Sequence, residues 1–149
     1  MQRCLQEKAT NISWWQSGQR TRAKPSCRSP HLRKAATDCY ALSELPAGNV
    51  ITPFELGNLV PAYTDHRVWL GHWFMTPNKL ARIHQYDAIV TGDPTALATL
   101  TQLVDDHRIQ YVVVPTEAAD HVAGEFGDRI DSRQTHGTLE LLVLTATPQ

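Results

Sequence analysis

The run Tyr111-Val112-Val113-Val114 places the tightest limit on what this chain can fold into. A strand with one solvated face alternates apolar and polar residues, whereas a run apolar at every position reads as a strand covered on both faces. Two covered faces require a layer on each side of the sheet, which points to a layered α/β fold. The rest of the chain agrees. Val50-Ile51-Thr52 reads as a short strand halted by Pro53, and Arg67 to Leu70 as another, rich in β-forming residues. Cap-plus-proline signals, which open helices, recur at Ser29-Pro30, Thr76-Pro77 and Asp93-Pro94.

Each signal leads into a helical period. Leu32, Ala35, Ala36 and Cys39 share one face after the first, and Leu80 and Ile83 begin a helix that runs to Val90 after the second. Leu97, Leu100, Leu103 and Val104 give the third, which ends near His107. Thr116 caps a helix that Gly127 stops. Arg129 to His136 and Thr138 to Thr145 form a hairpin turning at His136-Gly137. Residues 54–66 read as a turn, because Gly57 and Pro61 interrupt any long element. Strands separated by helices imply right-handed crossovers and parallel pairing. The expectation is a small three-layer α/β domain over residues 29–149, with a mostly parallel sheet and a C-terminal β-hairpin.

A chain of 149 residues fits one domain and can bury a core without disulfides or metals. The net charge of −1 gives no argument for nucleic acid as a partner. The charge is unevenly placed, however. Arg3, Lys8, Arg20, Arg22, Lys24, Arg28, Arg33 and Lys34 precede Asp38 and are opposed only by Glu7. Residues 1–28 have no hydrophobic period and read as a basic, disordered leader. Cys4, Cys27 and Cys39 match no zinc spacing and, being odd in number, no closed disulfide framework. No apolar run approaches the ~18–20 residues that span a bilayer, and no signal peptide opens the chain. Expressed as written, the chain is expected in the cytoplasm.

The residues suited to chemistry cluster between Phe54 and Lys79. Gly71-His72-Trp73 sets an imidazole between a residue that permits close backbone approach and an indole that offers a stacking face. His72 there reads either as a hydrogen-bond donor to a sugar or phosphate oxygen or as a strand-end histidine bonded to a carbonyl. Glu55, after the first strand, is placed to pair with Arg67 or Lys79, and Trp69 reads as core or interface. Asp65-His66 resembles half of a catalytic triad without a nucleophile elbow. The adjacent pair Asp105-Asp106 diverges by about 100° on a helix and reads as solvated. His31, His84, His107 and His121 read as surface residues. No dinucleotide fingerprint, P-loop or metal-ligand spacing occurs, so no cofactor and no metal are implied.

Several blocks together carry a family resemblance: Leu45-Pro46-Ala47-Gly48-Asn49-Val50-Ile51, Glu55 through Thr64, Arg67-Val68-Trp69-Leu70-Gly71-His72-Trp73, Thr76-Pro77 with Lys79, and Ile109 through Val114. They resemble the C-terminal region of bacterial polytopic membrane glycosyltransferases of the membrane-embedded C type, a class that includes protein mannosyltransferases. In that family a Gly-His-Trp followed by Thr-Pro and a lysine lies in an α/β domain beyond the last membrane helices. About half of this chain is covered. The family's catalytic acidic residue lies in a loop between membrane helices and has no counterpart here, and Met75 stands where an acidic residue often follows.

The resemblance implies a non-catalytic domain or fragment that contacts a lipid-linked sugar or the membrane portion, placed on the extracytoplasmic face if it belongs to such a protein. Glu55, Asn58, Arg67, His72, Trp73 and Lys79 are the ligand-binding candidates. Two other readings stand beside it. One is a small hydrolase or transferase acting on a sugar or phosphorylated substrate, with His72 as acid–base and Glu55 as its orienter. The other is a non-functional gene remnant.

Overall fold

The computed structural model describes residue 39, residues 41–71 and residues 76–145. The basic leader, the Ser29-Pro30 helix start and the block His72 to Met75 lie outside the described residues. So do Cys4, Cys27 and His31.

The described strands form one mixed sheet. They are β1 (Asn49–Ile51), β2 (Arg67–Val68), β3 (Ile109–Pro115), β4 (Ile130–His136) and β5 (Leu139–Leu144), in the order β2-β1-β3-β5-β4. β1 runs parallel to both β2 and β3, while β5 runs antiparallel to β3 and β4. The chain is therefore a small α/β domain with a parallel half and a C-terminal hairpin, as the sequence pattern predicts.

Helices cover both faces. On one lie α3 (Lys79–Val90), α4 (Pro94–Asp106) and α5 (Ala119–Gly124). Their buried Ile89, Leu100, Val104 and Val122 pack with Ile51, Val112 and Leu142 from the sheet. On the other lie the helical residues 41–43 and two one-turn helices, α1 (Phe54–Gly57) and α2 (Val60–Tyr63). Leu42, Leu56 and Val60 there bury Val50, Tyr111 and Val113. Val112 and Val114 thus face one layer and Tyr111 and Val113 the other, which accounts for the uninterrupted apolar run.

Three local differences from the sequence pattern have clear causes. Residues 54–57 and 60–63 are helical where a turn is expected. Pro61 sits in the first turn of α2, a position that leaves no backbone hydrogen bond unmade, and α1 is over by Gly57. Thr76 does not cap α3; its hydroxyl accepts from the Gly71 N–H at 3.2 Å, and the residue before α3 is Asn78 in the left-handed region (φ 52°). Leu80 points outward at 66% exposure, because Lys79, Tyr86 and Ile89 occupy the inner face of α3. The Asp93 cap forms as expected, with its Oδ1 accepting from the N–H groups of Thr95 and Ala96 at 3.0 and 2.9 Å.

Candidate functional site

In an open α/β sheet the carboxyl ends of parallel strands are where loops and helix starts converge. Here β1 and β2 run side by side, and the chain leaves β1 through Thr52-Pro53 into α1 and leaves β2 through Trp69-Leu70-Gly71. α1 is locked onto the second exit. A Cβ added to Gly57 would lie 1.9 Å from the Leu70 carbonyl oxygen, so the two segments touch backbone to backbone.

That contact sets the α1 side chains beside the start of α3. The Lys79 ammonium lies over the Phe54 ring, 5.3 Å from its centroid. Lys79 is only 9% exposed, and burial pulls its pKa below the ordinary lysine value. Glu55 and Asn58 are exposed on the same short helix, with the Asn58 amide donating to the Phe54 carbonyl at 3.3 Å. An open depression of about 530 Å3 is lined, among the described residues, by Asn78, Lys79, Leu80 and Ala81.

Beneath them, the Tyr86 hydroxyl donates to the Val113 carbonyl at 3.1 Å. Val113 lies one residue past the last β1–β3 partners, Ile51 and Val112, so this phenol occupies the sheet just beyond the end of β1. Burial, then the negative charges of Glu55 and Asp87, push the Tyr86 pKa far above the usual phenol value. It is a fixed hydrogen-bond donor, unsuited to proton transfer.

The six candidate residues do not all meet here. Glu55, Asn58 and Lys79 share this corner. Arg67 is exposed at the amino end of β2, level with Asn49, three positions before Leu70. His72 and Trp73 lie outside the described residues.

Other groups singled out in the sequence take structural places. His66 is 4% exposed, and its Nδ1 accepts from the Gly48 N–H at 3.1 Å. The proton therefore sits on Nε2, which donates to the Leu42 carbonyl at 2.6 Å. With both nitrogens committed to backbone, His66 offers no triad chemistry. Trp69 is 5% exposed in the core, as its strand position suggests. Arg82 stacks 5.1 Å from the Trp69 ring and donates to the Trp69 carbonyl. Asp105 is not simply solvated, for Arg129 donates to it at 2.7 Å. His121, on α5, meets the Ile89 carbonyl at the end of α3 at 3.2 Å.

The sequence pattern does not mark Tyr86, Arg82 or Phe54 as neighbours of the site. Helical spacing could have placed Tyr86 on the inner face of α3 with Ile89, but nothing in the sequence pairs Phe54 with Lys79. Among the described residues no group of His, Cys, Asp and Glu side chains could hold a metal ion, and no helix is long and apolar enough to cross a membrane. No family model, curated protein or solved structure matches this chain.

Proposed function

We propose that this chain is a non-catalytic contact domain related to the C-terminal region of a membrane glycosyltransferase of the membrane-embedded C type. Its contact face is the corner at the carboxyl ends of β1 and β2, and its ligand is a lipid-linked sugar or the membrane portion itself. The observation that carries this reading is Lys79. Its ammonium over the Phe54 ring, with exposed Glu55 and Asn58 close by, sets a cation, a carboxylate and an amide on one corner, the group types that bind phosphate and sugar oxygens.

The test is a titration of the labelled full chain with polyprenyl-phosphate mannose in detergent micelles, read residue by residue in amide spectra. Shifts confined to Glu55, Asn58, Lys79 and their neighbours are expected. Lys79→Ala should weaken binding about tenfold, the ~1.4 kcal/mol of one charge-assisted contact, with a modest fall in unfolding temperature because its buried stem leaves the inner face of α3. Unaltered binding by that variant, or a large loss of stability without loss of binding, would mark the corner as structural.

A further inference from the structure

Among the described strands β4 ends the sheet, and no described element pairs with its outer edge. Among the described residues its only strand partner is β5 and no backbone hydrogen bond joins it to any other element, and none of its seven residues is buried. The hairpin register says which groups point outward. His136 and Leu139 flank a two-residue turn in which Gly137 has φ 63°, the positive first position of a type II′ turn. That pair closes the hairpin with both of its hydrogen bonds, and bonded and non-bonded pairs then alternate. Gln134 and Ser132 therefore bond to β5, while the N–H and C=O groups of Arg133 and Thr135 face away from it.

Open edges are ordinarily blunted by lysine, proline or a bulge. β4 contains neither lysine nor proline, and its register irregularity falls at Ile130/Ser132, which leaves the stretch from Ser132 to His136 regular. The charge beside the edge is one-sided. The Arg133 guanidinium is taken up by Glu140 and Asp120, and Arg129 by Asp105. Asp131, Asp128 and Glu125 are exposed close to it in sequence, and the Asp120 side chain is 93% exposed. We propose that the β4 edge accepts an extended, lysine- or arginine-bearing segment of another polypeptide as an added strand. Backbone pairing to Arg133 and Thr135 supplies the hold, and the carboxylates select a basic sequence.

This site lies at the opposite edge of the sheet from β2, so its test is independent of the contact corner. The probe is a blocked peptide of about nine residues alternating Lys with Val, long enough to follow β4 at ~3.4 Å per residue. Its Glu-for-Lys analogue is the control. With the full chain, binding should slow amide exchange at Arg133 and Thr135 about tenfold or more while Ser132 and Gln134, already bonded in the ladder, change little. The Glu analogue should leave exchange unaltered. Thr135→Pro removes an outward N–H without touching the β5 ladder and should weaken binding about tenfold, equal to ~1.4 kcal/mol. Asp131→Asn should weaken it less and flatten its salt dependence. Unchanged exchange at Arg133 and Thr135 on adding the Lys peptide, equal slowing by the Glu analogue, or slowing that depends on protein concentration alone would overturn the proposal. The exchange pattern of the unmodified chain decides even if the proline variant does not fold.

Discussion

Gly57 and Gly71 meet with no room for a side chain between them. A Cβ on Gly57 would stand 2.8 Å from Gly71 Cα, and a Cβ on Gly71 would stand 2.7 Å from the Gly57 carbonyl oxygen. Neither residue has a positive φ, so closeness, not backbone freedom, requires glycine at both positions. This contact fixes α1, and with it Glu55 and Asn58, against the exit from β2.

Gly57→Ala should therefore destabilise the domain. The obstructing atoms are backbone and cannot swing aside, so a cost of about 1–3 kcal/mol is expected. The intrinsic helix preference for Ala over Gly has the opposite sign, about 0.5–1 kcal/mol. Chemical denaturation of the variant reads the sum. A neutral or stabilising result would mean that α1 and the Leu70-Gly71 segment are not in contact.

His66→Ala removes the partner of two backbone groups at once, the Gly48 N–H and the Leu42 carbonyl. The second of these ties the helical residues 41–43 to the sheet. A loss of about 2–4 kcal/mol is expected, because unmatched buried polar groups cost more than a hydrogen bond contributes. The Gly48 amide should also exchange faster in the variant. Stability within ~0.5 kcal/mol of the parent would contradict the buried, doubly bonded imidazole.

The sequence carried the layered architecture clearly. The apolar run at Tyr111 to Val114, the Asp93-Pro94 start and the His136-Gly137 turn each encode one local decision with one physical cause. The corner site was harder to read. Its parts come from α1 and from the amino end of α3, brought together by a glycine–glycine contact that leaves no local pattern. Two four-residue helices likewise resemble a turn in sequence, since neither is long enough to establish a 3.6-residue period. His66 gave the opposite difficulty. Beside Asp65 it suggested chemistry, and only the distances to Gly48 and Leu42 show it to be a backbone tie.

Tyr86 and Tyr111 should give the protein a stability loss in alkali. Burial raises both phenol pKa values in the folded chain, with Glu55 and Asp87 adding to the effect at Tyr86. In the unfolded chain a phenol ionises near ~10. Folded values above unfolded ones mean that this stability is fully present below pH ~10 and is lost as pH rises beyond it. Tyr86→Phe should flatten the alkaline limb of a stability–pH curve. At neutral pH it should cost about 1–2 kcal/mol, because the Val113 carbonyl loses its donor. An alkaline limb unchanged in that variant would show that Tyr86 ionises freely in the fold.

Arg133 joins two elements that the chain reaches separately, taking Glu140 of β5 and Asp120 of α5. Hydrogen bonds that it donates to Glu140 first and to Asp120 second hold its pKa above the ordinary arginine value, so it stays charged throughout the working pH range. Glu140 is 5% exposed, on the face of β5 that also carries Leu142 and Leu144 toward the core. Arg133→Met leaves that carboxylate buried without its cation, and the unfolding temperature should fall. The more open pair Arg129–Asp105, with side chains 27% and 43% exposed, should cost only about 0–1 kcal/mol when broken by Arg129→Met. The double change Arg133→Met with Glu140→Leu should recover much of the Arg133→Met loss, because the stranded charge is then gone and an apolar side chain fills its place. Thermal unfolding of the three variants provides the comparison. A double variant no more stable than Arg133→Met alone would show that the arginine acts through its own packing and not by compensating Glu140.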